Sequence, residues 1–336
     1  MKSKHTLVLL LLITILSCQS QSQKINGVSF VASRDTIHDS HIKPIVNLNA
    51  NYAAIMPFGF IRNINHPEIK YNSDRQWYGE TKSGAKHYIQ ALQKQNIHIM
   101  LKPQIWISHG AFTGNILMET ENNWRILEDS YTKFILEYAK LAEDAHVDLF
   151  CIGTELEQFI KHRPEYWQNL ILKIKDVYSG KLTYAANWDE FKYTPFWSNL
   201  DYIGIDAYFP LSKNQTPTFE DALAGWSSHK KFIHDYYNTY NKPILFTEYG
   251  YRSVDYAGKE PWKSDRNMTQ VNLEAQLNCS QALFESFWHE EWFAGGFVWK
   301  WFINHDTSGG EQDSRFTPQN KPVENLIKTY YGKYAE

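Results

Sequence analysis

Two apolar runs in this 336-residue chain close on the same dipeptide. Leu149 to Ile152 runs into Gly153-Thr154-Glu155, and Pro243 to Phe246 runs into Thr247-Glu248-Tyr249-Gly250. A short continuous apolar run reads as a strand buried on both faces. Each glutamate therefore falls at the carboxyl end of a buried strand, and the two lie far apart in the chain. Such a pair divides acid–base work when unequal surroundings keep one carboxyl protonated and the other ionised.

Other polar and aromatic residues fall at comparable strand ends. Lys102, Gln104 and Trp106 share one face of an alternating stretch. Asn187 and Trp188 end another, Asp206 and Tyr208 a third, Trp299 and Trp301 a fourth. A lysine inside such a fold is costly unless it meets a carboxylate or a polar ligand, so Lys102 is either a ligand-binding cation or half of a structural ion pair. Asp206 either faces the mouth or caps the following turn. Parity along the last strand leaves open which tryptophan faces inward. Trp77 and Tyr78 either line a subsite or pack their loop, and Glu157 is expected to orient a neighbour or pair with a base. Two carboxyls, a cation, amides and flat aromatics together fit glycoside hydrolysis.

The elements that must position these residues alternate. Strands are predicted at Ile25–Ala32, Tyr52–Phe58, Ile97–Ile105, Val147–Ile152, Lys181–Ala186, Tyr202–Ala207, Pro243–Thr247 and Gly295–Trp301. Helices are predicted from about Ser40, over Lys82–Gln95, Asn122–Glu143, Pro164–Tyr178, Phe219–Tyr240, Thr269–Glu290 and Val323–Tyr331, with only a short piece near Pro195. Eight such units imply parallel pairing and a single-domain α/β fold, the (β/α)8 TIM barrel, over 25–336. Links after helices are short, whereas the links 59–81, 106–121, 208–218, 248–268 and 302–322 after strands are long. Long loops therefore gather at the C-terminal face, where function concentrates. The rival is an open doubly wound sheet, but no Gly-x-Gly-x-x-Gly follows the first strand.

Aromatic residues make up 15% of the chain, with 12 Trp and 21 Tyr, more amphipathic rings than a core usually needs and suited to sugar faces. A net charge of −3 excludes nucleic acid as an expected partner. Lys2 and Lys4 precede the apolar run Leu7 to Leu16, too short to span a membrane and closing on Ile15-Leu16-Ser17-Cys18. Residues 1–17 resemble a bacterial lipoprotein signal with Cys18 as the acylated residue, and 18–24 read as a polar tether. The expected location is the bacterial cell envelope, with membrane contact only through that lipid. Cys151 and Cys279 are expected to be core thiols. No His, Cys or carboxylate set has metal-ligand spacing, and no cofactor is expected.

Leu101-Lys102-Pro103, Gly153-Thr154-Glu155, Ile205-Asp206-Ala207-Tyr208, Thr247-Glu248-Tyr249-Gly250 and Trp299 form a set. With it, the chain from about Ile25 to its end resembles glycoside hydrolase family 113, retaining endo-β-1,4-mannanases of the large (β/α)8 glycosidase clan. The resemblance implies Glu155 as acid/base, Glu248 as nucleophile, and Trp299 as the floor beside the scissile bond. Most of the clan has Asn before the acid/base, where this chain has Thr154. That leaves the sugar 2-hydroxyl to Asn187 or Lys102. The implied substrate is β-mannan or manno-oligosaccharide, acted on by a monomer. Another β-glycosidase activity of the clan, β-glucanase or exo-β-mannosidase, is the near alternative. A non-catalytic glycan-binding lipoprotein is the distant one.

Overall fold

Both Thr-Glu runs are parallel strands of one closed sheet. A computed structural model describes residues 23–265 and 267–335, so Cys18 and the leader lie outside the described residues. The strands are β1 (Ile25–Phe30), β2 (Tyr52–Ile55), β3 (Phe58–Ile61), β4 (His98–Leu101), β5 (Gln104–Ile107), β6 (Leu149–Thr154), β7 (Lys181–Asn187), β8 (Ile203–Asp206), β9 (Ile244–Tyr249) and β10 (Phe293–Trp301). Eight of them close in the order β1-β10-β9-β8-β7-β6-β4-β2, and β3 pairs with β5 as a separate ribbon.

The ribbon corrects two expected strand boundaries. The second and third predicted strands each divide in two, at Met56-Pro57 and at Lys102-Pro103. Proline has no N–H for the ladder and restricts the residue before it. The barrel ladder ends there, and the chain resumes one step on, with Lys102 N–H on Ile55 O at 2.8 Å and Gln104 N–H on Pro57 O at 2.9 Å.

Among the described residues eight α-helices surround the sheet: α1 (Asp39–Asn47), α2 (Lys82–Gln93), α3 (Glu121–Asp144), α4 (Glu157–His162), α5 (Pro164–Lys175), α6 (Phe219–Tyr240), α7 (Leu273–Phe287) and α8 (Pro322–Lys333). Their starts follow local chemistry. Thr81, Thr120, Thr218 and Asn272 each accept an N–H of the first turn, and Pro164 and Pro322 open α5 and α8. No α-helix follows β7; two 3-10 turns, Phe191–Tyr193 and Trp197–Asn199, take its place.

The core has two layers. Ala54, Met100, Leu149, Cys151, Leu245 and Phe297 fill the barrel interior. A larger shell between sheet and helices includes Ile152, Trp167, Tyr184, Trp226, Phe246 and Trp288. Most of the tryptophan surplus is spent here. Trp167, Trp197, Trp226, Trp288 and Trp301 are fully buried, each contributing on the order of 3 kcal/mol of apolar burial. Cys151 and Cys279 are buried and unpaired with each other, as expected of core thiols.

Candidate active site

Register brings the polar strand ends to one level. Asn187 of β7 lies beside Asp206 of β8, and Asp206 beside Glu248 of β9. Glu155 follows β6 directly, and its N–H donates to Ala185 O on β7 at 2.8 Å. Two glycines permit this crowding. A Cβ on Gly153 would lie 2.7 Å from the Tyr131 hydroxyl, and one on Gly250 would lie 2.6 Å from Trp299 O. The strand tips can approach their neighbours only without those atoms.

Glu248 is held by three donors. Lys102 Nζ reaches its Oε1 at 2.6 Å, Gln104 Nε2 the same oxygen at 3.3 Å, and the Tyr208 hydroxyl donates to Oε2 at 2.8 Å. Among the described residues its side chain only accepts, from one ammonium, one amide and one hydroxyl. Lys102 is fully buried and also donates to Asp206 Oδ1 at 3.3 Å. Burial opposes its charge, but Asp206 and Glu248 outweigh burial and hold the ammonium above its usual range. Lys102 is therefore an ion-pair lysine whose partner is the candidate nucleophile itself.

Asp206 caps no turn. Its Oδ1 accepts the Thr247 hydroxyl at 2.7 Å as well as Lys102, and its buried Oδ2 has no partner among the described residues. Burial and the charge of Glu248 push this carboxyl up to about 7.

Glu155 stands in other surroundings. Among the described residues no donor bonds its carboxyl, and its backbone is left-handed at φ +50°. Burial, then the charges of Asp206, Glu248 and Glu190, lift it well above the usual carboxylate range, with Lys102 opposing. These surroundings favour its protonated form.

The remaining expected residues separate. Trp299 is half-buried at the mouth, while Trp301 is fully buried against His305, its ring centroid 5.5 Å away; the Trp299–Lys300 peptide between them is cis. Trp301 is thus taken up by the core between sheet and helices, and Trp299 is the more exposed of the two. Gln104 and Trp106 both lie on β5 of the β3–β5 ribbon: Gln104, at its start, is 9% exposed and reaches Glu248, whereas Trp106, two residues further on, is 50% exposed. Trp188 stacks on Trp262 at 5.3 Å and packs against Phe209. Trp77 is 43% exposed and carries the Arg34 guanidinium over its ring at 5.2 Å. Asn187 uses its side-chain oxygen on the Trp188 N–H at 2.9 Å and keeps its amide nitrogen free of protein acceptors among the described residues. Glu157 opens α4 and bonds no neighbour's side chain among the described residues.

Three residues were not singled out from the sequence. Thr247 binds Asp206, and its place in the repeated Thr-Glu pair was the available signal. Lys300 is half-buried, with its ammonium over the rings of Trp299 at 5.3 Å and Phe302 at 5.2 Å. Glu190 is buried behind Asn187, in a turn whose sequence shows no sign of that burial.

A parallel barrel whose mouth pairs a donor-held carboxylate with a proton-holding carboxyl is built to cleave an acetal with acid assistance, and the class it defines is the glycoside hydrolases. The sequence matches the model of Glycoside Hydrolase Family 113 over residues 32–321, and the chain belongs to that family. A search of curated proteins finds no match. Among solved structures, the chain is similar to a family 113 β-mannanase from Alicyclobacillus acidocaldarius, with a TM-score of 0.80 and 21% identity over 93% of this chain and 98% of that one. A family 113 β-1,4-mannanase complex matches with a TM-score of 0.80 and 20% identity, over 92% of this chain and 99% of that one. A Faecalibacterium prausnitzii β-glucuronidase matches with a TM-score of 0.60 and 15% identity, over 93% of this chain and 49% of that one. At these identities the likeness is one of fold.

Proposed function

We propose that this glycoside hydrolase cleaves β-1,4-mannosidic linkages within mannan and manno-oligosaccharides by double displacement. The observation that carries the mechanism is the contrast between Glu248, bonded by Lys102, Gln104 and Tyr208, and Glu155, with no donor on its carboxyl among the described residues and surroundings that raise it well above the usual carboxylate range. Glu248 attacks the anomeric carbon while Glu155 protonates the departing oxygen. Glu155 then deprotonates the water that releases the sugar from Glu248. Trp299 supplies an apolar floor for the sugar beside the scissile bond. The free amide nitrogen of Asn187 is the donor suited to the 2-hydroxyl, since the Lys102 ammonium already serves Glu248 and Asp206.

Family membership and the β-mannanase names of the similar structures support mannan as substrate. The long loops after the strands support an extended cleft and internal cleavage. Incubating the soluble form with manno-, gluco- and xylo-oligosaccharides tests this. The expected products are short β-manno-oligosaccharides, with longer chains cut faster because remote subsites contribute binding energy at the reacting centre. Preference for gluco- or xylo-oligosaccharides, or release of single mannoses from one chain end, would overturn the reading.

The segment ending at Cys18 supports a lipid anchor in the bacterial envelope for a monomeric enzyme. Cys18→Ala should abolish lipid labelling and release the protein from membranes in the native host. Unchanged labelling and retention would refute the anchor.

A further inference from the structure

Behind the Glu155 backbone sits a carboxyl that the reaction does not use. Glu190 is 2% exposed, three residues beyond β7 in the turn Asn187-Trp188-Asp189-Glu190. Its side chain folds back on the strand end. Oε2 accepts the Asn187 N–H at 3.0 Å, and Oε1 accepts the Tyr184 hydroxyl at 2.6 Å. That hydroxyl in turn accepts the Leu156 N–H at 2.6 Å. Leu156 is the residue after Glu155, so the chain of bonds ends on the peptide that carries the candidate acid.

That peptide needs holding. A left-handed glutamate persists only where its surroundings over-determine it. Two bonds define the turn here, both from β7: Glu155 N–H on Ala185 O, and Leu156 N–H on the Tyr184 hydroxyl. The second depends on a side chain, and that side chain depends on Glu190. The Tyr184 ring is fixed edge-on to Trp167 at 5.9 Å and to Phe196 at 5.6 Å. Phenylalanine would fill the same space, so packing alone needs neither the hydroxyl nor a buried carboxyl, which is costly. What the two polar groups add is direction on the Leu156 N–H.

We infer that Glu190 is a positioning residue: through Tyr184 it holds the 155–156 peptide so that the Glu155 carboxyl stays aimed at the glycosidic oxygen. The inference rests on the reading of Glu155 as the acid/base. Where it is ionised, Glu190 also acts at a distance, because its charge is one of those that lift Glu155, while burial pushes its own carboxyl up to about 8.

The test compares two aryl β-mannosides on the full chain, one with a dinitrophenyl group that leaves unaided and one with a phenyl group that must be protonated. In Glu190→Gln and Tyr184→Phe, kcat/KM for the phenyl substrate should fall roughly 10- to 100-fold, the scale set by a misaimed general acid. For the dinitrophenyl substrate it should stay within about 3-fold, because that departure needs no acid. Where the alkaline limb of the native profile extends to the pH at which Glu190 ionises, the limb of Glu190→Gln should move to lower pH, since a charge that lifts Glu155 is gone. Adding Glu190→Gln to Glu155→Ala should cost nothing more on the phenyl substrate. Equal losses on both substrates would overturn the inference, as would an unmoved limb with an unchanged substrate ratio. So would loss of the folded state in both variants, which would make the relay purely structural. If Glu155→Ala discriminates between the substrates and Glu190→Gln does not, the relay alone fails. If Glu155→Ala itself does not discriminate, the assignment of Glu155 fails beneath it.

Discussion

The tips of β6 and β9 have nearly the same sequence and opposite surroundings. Each strand is an apolar run closed by Thr-Glu, and each glutamate reaches the same mouth. At β9 the threonine turns its hydroxyl to Asp206, and the glutamate receives Lys102, Gln104 and Tyr208. At β6 the Thr154 hydroxyl is buried without a partner among the described residues, and the glutamate receives no donor. The donors come from other strands: β8 brings Tyr208, and the broken third strand brings Lys102 and Gln104. A carboxyl's role is thus written in which neighbours the barrel turns toward it, not in its own segment.

Removing each glutamate breaks the comparison most severely. Glu248→Ala should lose at least about 10⁴-fold in kcat on every substrate, as when a nucleophile is deleted. Glu155→Ala should lose about 10²- to 10⁴-fold on substrates whose leaving group must be protonated. With an activated aryl β-mannoside it should still form the glycosyl-enzyme, and added azide should trap the β-mannosyl azide. Glu248→Ala should give only the α-azide, if any. Azide products exchanged between the two variants would reverse the assignment.

Lys102 tests whether the β9 environment depends on one cation. Lys102→Met leaves Asp206 and Glu248 buried together without their counter-charge. Breaking a buried pair by removing one partner costs about 3–5 kcal/mol. Thermal unfolding should show a lowered Tm, and kcat/KM should fall on activated and unactivated substrates alike, because the damage lies with the nucleophile. A loss confined to unactivated substrates would mean that Lys102 serves Glu155 instead.

The same contrast explains what the sequence disclosed. The barrel was legible because alternation of strands and helices and the asymmetry of loop lengths are local patterns. Glu155, Glu248 and Asp206 were legible because each ends an apolar run. The break at Pro103 went unread: it moves Gln104 and Trp106 together onto the β3–β5 ribbon, where Gln104 still reaches Glu248 and Trp106, two residues on, is half exposed. Glu190 was hidden because its burial follows from a turn folding back on β7 and from the aromatic cage of Tyr184, Trp167 and Phe196. Those contacts span α5 and the turns after β7, and no single stretch records them.

Trp299 sharpens the comparison from the sugar's side. It is the half-buried tryptophan of β10, beside Gly250 at the tip of β9, whereas Trp301 belongs to the outer core. Trp299→Ala should lower kcat/KM by about 2–4 kcal/mol, the scale of losing a buried aromatic anchor, with folding largely intact. Trp301→Ala should instead lower Tm by removing core packing, at about 3–5 kcal/mol. Matching stability losses in both variants would place Trp299 in the core.

The smallest expected effect is a shift in a pH profile. Asp206 lies between the two environments, and its charge is the first, after burial, among those that lift Glu155. Asp206→Asn keeps an oxygen for Lys102 and Thr247 while removing that charge. Glu155 should then give up its proton more easily, and the alkaline limb of kcat/KM should move to lower pH. The limb belongs to the coupled cluster, so its direction is the informative quantity. Stability gives an independent check. The folded carboxyl of Asp206 is pushed up to about 7, against about 3.9 in an unfolded chain. A raised carboxyl contributes fully below the unfolded value, and its contribution is lost as pH rises through the folded one. The Tm of the native enzyme relative to Asp206→Asn should therefore fall between about pH 4 and pH 7 and level off above. An alkaline limb that stays in place, or a Tm difference that rises over that range, would mean that Asp206 carries its charge at no cost and has no hold on Glu155.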